Sequence, residues 1–174
     1  MATLHTRRLT LRPPQDTDRA ALVHSLDNPN VSRWTGRIPW PYRQDDAEAF
    51  LAHARGAPGD SLILLITYEE AGIGGIGIEA GELGYWLAEP QWRRGFGAEA
   101  AQAVVDHGFA AERREQIRAS YFDGNAASRR ILEGLGFEAT GEAISYSRAR
   151  QAEVRMTELL LTWEAWKNAK ERQR

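Results

Sequence analysis

The chain has 174 residues, 43% of them hydrophobic and 26% charged, with a formal net charge of −2. That balance suits one globular domain able to bury roughly 70% of its unfolded surface, and it excludes a disordered or fibrous chain. A net charge near zero gives no electrostatic basis for binding DNA or an anionic membrane, and the lack of cysteine excludes disulfides, thiol nucleophiles and thiolate metal sites.

In chain order, Leu9-Thr10-Leu11-Arg12 alternates like a short strand and is stopped by Pro13-Pro14. Asp16 reads as a helix cap, with Ala21, Leu22, Ser25 and Leu26 on one face of the helix behind it. Asp27-Asn28-Pro29-Asn30 ends that helix, and residues 31–44 read as irregular, with Trp34, Trp40 and Tyr42 close together. Asp45 to Arg55 reads as a second helix, with Ala47, Phe50, Leu51 and Ala54 at helical spacing. Three runs, Ser61 to Tyr68, Ile73 to Glu79 and Glu82 to Ala88, predict an antiparallel meander. A helix is expected from Ala98, on the stripe Ala101, Val104, Val105, Gly108 and Phe109. Ile117 to Phe122 returns as a strand, Asn125 caps a helix over Ala126 to Leu135, and Phe137 to Tyr146 with Val154 to Thr162 form a closing strand pair. Residues 163–174 read as a charged helical or frayed tail on a single α/β domain spanning 1–174.

The most informative stretch is Trp92-Arg93-Arg94-Gly95-Phe96-Gly97-Ala98-Glu99-Ala100. A strand that turns through glycine into a helix leaves backbone N–H groups unpaired at the helix N-terminus, where the dipole favours an anion. Glycine permits close approach of backbone to phosphate, and arginines add charge-assisted hydrogen bonds. The stretch reads as a phosphate-binding turn. A Rossmann dinucleotide site would need a parallel βαβ unit and a third glycine, and this turn follows an antiparallel meander with only Gly95-x-Gly97.

Four motifs in fixed order carry a family resemblance: Thr6-x-Arg8-Leu9-x-Leu11-Arg12, Gly84-Tyr85-Trp86-Leu87, the glycine turn, and Asn125 through Phe137. Together they resemble the GNAT superfamily of N-acetyltransferases, over nearly the whole chain, and within it the RimJ/RimL branch. The resemblance implies an α/β (α+β) fold: a mixed, mostly antiparallel twisted sheet of six to seven strands flanked by about four helices. It implies acetyl-CoA as the donor, with pyrophosphate on the N–H groups of Arg94, Gly95, Phe96, Gly97 and Ala98, helped by Arg93 and Arg130. Where the general motif has Arg or Gln, this chain has Trp92, as RimJ/RimL-like sequences often do. Pantetheine would run along Trp86, Leu87 and Ala88, with Asn125 bonding the arm as well as capping its helix.

Amine acetylation needs a neutral amine, a donor to the developing oxyanion and a proton for the leaving thiolate. By resemblance, the oxyanion donor is the N–H of Leu87 or a neighbour, a contribution of ~3 kcal/mol in the transition state. Many family members place a tyrosine where this chain has Leu132; the RimJ/RimL-like alternative is a serine, and Ser128 occupies that position. Ser128 would contact the CoA sulfur, or simply satisfy N–H groups of its helix's first turn. For the base, Glu82 is the first candidate and Glu79 the reserve; Glu82 acts directly, through water, or only as a binder of the cation. Trp34, Trp40 and Tyr42 lie in the segment that covers the acceptor in this fold, with Tyr146 a further wall residue, although aromatics in such a segment also serve to pack it onto the core. His5, His24, His53 and His107 show no ligand spacing, so no metal is expected.

The expected activity is therefore acetyl transfer from acetyl-CoA to a primary amine, either a protein N-terminal α-amine or a small molecule, by direct attack on the thioester. The alternative is a CoA-binding sensor or interaction module with little or no transfer activity. The expected molecule is a monomer or homodimer, with no membrane partner. The first residues lack the apolar core of a signal peptide and no apolar run reaches membrane-spanning length, so a cytoplasmic location is expected.

Overall fold

The β-branched and leucine-rich run Leu62–Tyr68 (β3) is buried on both faces, so it must lie in the middle of a sheet covered on two sides. The computed structural model of the chain, which describes residues 2–172, places it there. Ahead of it come β1 (Leu4–His5), β2 (Thr10–Arg12), α1 (Arg19–Leu26), α2 (Pro29–Ser32) and α3 (Gln44–Gly56). The meander is completed by β4 (Ala71–Glu79) and β5 (Glu82–Leu87), and α4 (Phe96–Ala110) then crosses to β6 (Gln116–Phe122). Last come α5 (Ala126–Gly134), β7 (Glu138–Ser147), β8 (Ala152–Thr162) and α6 (Trp163–Arg172).

One sheet of eight strands results, in the order β1-β2-β3-β4-β5-β6-β8-β7. Every neighbouring pair is antiparallel except β5 and β6, which are parallel. The mixed α/β fold class is as expected, but eight strands replace the six to seven and six helices replace about four. The additional pieces are short or terminal. β1 has two residues and α2 four, too few to carry a periodic signal.

The hairpins around β4 turn on residue pairs with positive φ, Glu69-Glu70 and Ala80-Gly81, the geometry that matches strand twist in two-residue connections. The first hairpin is therefore tight, and β4 begins at Ala71, two residues before the expected Ile73. Asp16 is not a helix cap. It opens a single 3-10 turn, and the local carboxylate that accepts backbone hydrogen is Asp18, from Gln15 N–H at 2.7 Å. Asp18 is buried and forms a forked pair with Arg12 at 2.7 and 2.8 Å. Burial pushes its carboxyl up, but the hydrogen bonds from Arg12 and Gln15 outweigh this and hold it below the ordinary range.

Apolar side chains fill both faces. On one, Ile76, Ile78, Leu83 and Ile117 pack against Phe96, Val104 and Phe109 of α4 and Leu132 of α5. On the other, Leu65 packs with Leu22, Leu26, Val31, Ala47 and Leu51 from the α1–α3 layer. Each leucine, isoleucine, valine or phenylalanine among them, fully buried, contributes ~1.5–3 kcal/mol. The expected tail is helical over Trp163–Arg172 and not frayed, because Trp166 stacks on Phe109 at 5.4 Å and donates to Asp106 at 2.7 Å; its residues 173 and 174 lie outside the described residues. Among the described residues, no helix is long and apolar enough to cross a membrane.

The paired residues Gly77 and Gly84 make a direct test of the sheet. A β-carbon at Gly77 would clash with the Leu62 carbonyl oxygen, whereas one at Gly84 would meet nothing within 4 Å among the described residues. Gly77→Ala should therefore lower the unfolding free energy by about 2 kcal/mol or more in denaturant titrations, and Gly84→Ala should leave it nearly unchanged.

Candidate active site

β5 and β6 run together for only two registers, Glu82↔Arg118 and Leu83↔Ala119, and then part. Each strand keeps its other partner: β5 follows β4 as far as Leu87, and β6 follows β8 as far as Phe122. Ala88 N–H donates to Ile73 O at 2.9 Å, and bonding residues alternate along an antiparallel ladder. Glu82, Gly84 and Trp86 therefore spend their backbone groups on β4, while Leu83, Tyr85 and Leu87 turn theirs toward β6. Beyond Leu83 that side has no ladder, so the N–H groups of Tyr85 and Leu87 face the gap. The carbonyl of Leu87 is taken by Trp92 Nε1 at 2.8 Å, which gives a local reason for tryptophan at that position.

The turn stands at the open end of the gap. Gly95 has φ +80° and forms the N-cap of α4, a backbone conformation costly for any residue with a β-carbon. The helix starts at Phe96, two residues before the expected Ala98, and its first bond runs from Glu99 N–H to Gly95 O at 3.1 Å. The N–H groups of Arg94, Gly95, Phe96, Gly97 and Ala98 precede that bond with no backbone acceptor among the described residues. A β-carbon on Gly97 would come within 3.1 Å of Ile131 and 3.4 Å of Leu87, so glycine lets α4 close onto both β5 and α5. Arg93 is exposed; Arg94 lies over Tyr68 and Phe96 at 5.0 and 4.6 Å. The turn is held from behind by Glu99, which accepts from Thr6 Oγ1 at 2.6 Å and Arg8 Nε at 2.7 Å. Burial pushes the Glu99 carboxyl up, and the hydrogen bonds from Thr6 and Arg8 more than reverse this.

Across the gap, Asn125 caps α5 by accepting from Ser128 N–H at 3.1 Å. Ser128 Oγ lies 2.8 Å from the Tyr85 hydroxyl, a hydrogen bond that bridges β5 and α5. Burial pushes the Tyr85 phenol up to about 12 against an opposing contribution from Ser128, so the ring stays neutral through the physiological range. Arg129 pairs with Glu133 at 2.7 Å, and Arg130 donates to Ala126 O at 3.2 Å on its own helix. Ala88 is buried at the end of β5.

The opposite face of β4 and β5 carries the residue pairs Gly75↔Trp86, Gly77↔Gly84 and Glu79↔Glu82. The Trp86 indole lies over Gly75, on the α1–α3 side and away from the gap. Two carboxylates stand at the other end. Glu82 accepts from Ser120 Oγ at 2.9 Å, while Glu79 meets His53 Nε2 at 2.5 Å and Arg37 at 3.4 Å. Between the indole and the carboxylates lies the glycine pair, open above Gly84. Trp34 is held between Arg33 and Arg150, each 5.0 Å from its ring, with Arg150 also reaching Phe122.

Two of the expected wall residues are elsewhere. Tyr42 is 3% exposed within the cluster of Leu22, Leu51 and Leu65, where burial pushes its phenol up to about 12; it is a core residue. Tyr146 points away from the 31–37 segment, because Ser147 Oγ on the adjacent alternate position donates to Thr35 O. Its ring is 56% exposed on the other face of β7, and Trp40 is 43% exposed beside Pro41. Sequence reasoning missed Tyr85, Ser120, His53 and Arg37. Strand alternation alone carried a signal for Tyr85, whereas the other three join the site only through the packing of separate elements.

A strand parted from its parallel neighbour, with an anion-ready turn at the mouth and a capped helix opposite, is the architecture of an acetyltransferase. The acetyltransferase (GNAT) domain model matches residues 8–138, and the chain belongs to that family. The uncharacterized N-acetyltransferase p20 of Bacillus licheniformis is 30% identical over 160 residues, 86% of this chain and 90% of that protein. The crystal structure of the acetyltransferase (GNAT family) from Bacillus anthracis superposes with TM-score 0.81 at 19% identity, covering 94% of this chain and 99% of that one. Mycobacterium smegmatis RimJ, in complex with CoA-disulfide, superposes with TM-score 0.80 at 22% identity, covering 94% and 88%.

The buried phenol makes a spectroscopic prediction. In a near-ultraviolet absorbance titration, Tyr85→Phe should leave the signal below about pH 11 unchanged and remove amplitude only above it, given a phenol held at about 12.

Proposed function

We propose that this chain is an acetyl-CoA-dependent N-acetyltransferase of RimJ/RimL type, acting on a primary amine of a protein N-terminus or a small molecule. The observation that carries the reading is the free N–H row of Arg94 to Ala98 at the mouth of the β5–β6 gap. Its geometry fits the donor: a left-handed Gly95, a Gly97 at which a β-carbon would crowd Ile131 and Leu87, and a helix dipole at the mouth suit a pyrophosphate. Acetyl-CoA, when bound, supplies an acetyl group activated as a thioester.

The remaining roles belong to the chain. The N–H groups of Arg94, Gly95, Phe96, Gly97 and Ala98 hold the pyrophosphate, with Arg93, Arg94 and Arg130 adding charge. The arm runs beside the Trp86–Ala88 end of β5, where Leu87 alone turns its backbone N–H into the gap, and that N–H donates to the acetyl oxygen. Asn125 spends Oδ1 on its cap and offers Nδ2 to the arm. Ser128 Oγ supplies a proton or hydrogen bond to the leaving sulfur, and Tyr85, kept neutral by burial, holds that hydroxyl in place. On the other face, the acceptor lies over Gly77 and Gly84 against Trp34, with Glu82 taking the ammonium proton directly or through water; Glu79, engaged by His53 and Arg37, is the reserve. Ser120 orients the Glu82 carboxylate.

Acetyl-CoA in large excess over its dissociation constant should raise the melting temperature, and no shift would sink the reading. Thiol release over a panel of amines and short peptides then separates an enzyme from a sensor. Ser128→Ala should lower kcat by about 10²-fold with acetyl-CoA affinity retained, and Tyr85→Phe should lower it less. Glu82→Gln should depress the alkaline-rising limb of the rate profile; an unaltered profile leaves Glu82 outside the chemistry.

A further inference from the structure

The motif Thr6-x-Arg8 resembles its family counterpart but has no part in the chemistry above. Both side chains fold back onto the N-terminus of α4 from the connection between β1 and β2. Arg8 Nε meets Glu99 at 2.7 Å, its backbone N–H meets the same carboxylate at 2.8 Å, and Thr6 Oγ1 donates there at 2.6 Å. The remaining reach of the guanidinium goes to the turn itself: Nη1 donates to the Arg94 carbonyl at 3.0 Å. The Phe96 ring lies beneath the same guanidinium at 4.5 Å and fixes its plane.

A trans peptide directs its C=O and N–H to opposite sides. The Arg94–Gly95 peptide is trans, since the one cis bond among the described residues is Trp40-Pro41. Pinning the Arg94 carbonyl toward Arg8 therefore turns the Gly95 N–H away from Arg8, to the side where the free N–H row stands. Glycine at φ +80° removes the steric barrier that would otherwise resist rotation of that peptide, so an outside contact must hold it. The charge of Arg8 is already matched by Glu99, which leaves orientation as what its guanidinium supplies.

We propose that Arg8, held by Glu99 and Thr6, is the positioning residue of the anion turn: it locks the Arg94–Gly95 peptide so that the Gly95 N–H faces the pyrophosphate. The inference rests on the reading that this turn holds the pyrophosphate of acetyl-CoA. Acetyl-pantetheine carries the same thioester without the pyrophosphate and the nucleotide beyond it, so an effect of Arg8 confined to acetyl-CoA belongs to the phosphate end of the ligand, where Arg8 meets the turn.

Isothermal titration calorimetry with acetyl-CoA and with acetyl-pantetheine tests it on the full chain without needing an acceptor. The wild-type protein should bind acetyl-CoA much more tightly. Arg8→Gln should weaken acetyl-CoA by about tenfold and leave acetyl-pantetheine unchanged, the loss of one charge-assisted orienting contact. Arg8→Lys, which keeps the charge without the planar fork, should narrow the preference part of the way, and it replaces Arg8→Gln if that variant does not fold. Arg7→Gln, an exposed neighbour, should retain the full preference. An undiminished preference in Arg8→Gln or Arg8→Lys overturns the positioning role, as does equal weakening of both ligands. A wild type that binds both ligands alike overturns the pyrophosphate reading itself.

Discussion

The structure depends on one interrupted ladder. β5 and β6 are the only parallel neighbours among the described residues, and they pair for two residues before each follows its outer partner. A parted pair of central strands leaves backbone donors and acceptors facing empty space, a costly arrangement unless something polar enters. The protein narrows that cost locally: Trp92 takes the Leu87 carbonyl, and the Tyr85–Ser128 bond spans the opening from β5 to α5. What remains uncovered, the N–H groups of Tyr85 and Leu87, is what an extended polar arm would pair with.

The sheet also separates two chemically different faces. On the α4–α5 side lie the anion turn, the capped Asn125 helix and the neutral Tyr85–Ser128 pair, all of them hydrogen-bond donors. On the α1–α3 side lie two carboxylates, an indole and a glycine floor, suited to a cation. β5, read on both faces, keeps the carboxylates of Glu79 and Glu82 on the side of the sheet opposite the anion-ready turn.

Much of this was legible in the chain. The glycine turn, the Asn125 cap, the meander and the stripe of α4 are local signals, set by backbone sterics, unpaired helix ends and apolar spacing. They specified family and fold class. The placement of the aromatic residues of the 31–44 segment was not legible in the same way. Trp34, Trp40 and Tyr42 look alike in sequence, yet Trp34 is held between two arginines, Trp40 is exposed and Tyr42 is core. Tyr146 was lost to alternation on β7, where a one-residue difference decides the face.

The sequence by itself determined the turn at Gly95 and the helix behind it, because left-handed backbone and orphan N–H groups are properties of a few consecutive residues. Only the tertiary structure decided what surrounds them. Arg8 and Thr6 reach Glu99 across more than ninety positions, Tyr85 meets Ser128 across forty-three, and His53 meets Glu79 across twenty-six. No local periodicity encodes such contacts. They follow from which strand lies beside which, and that is settled by the burial of the two apolar faces as a whole.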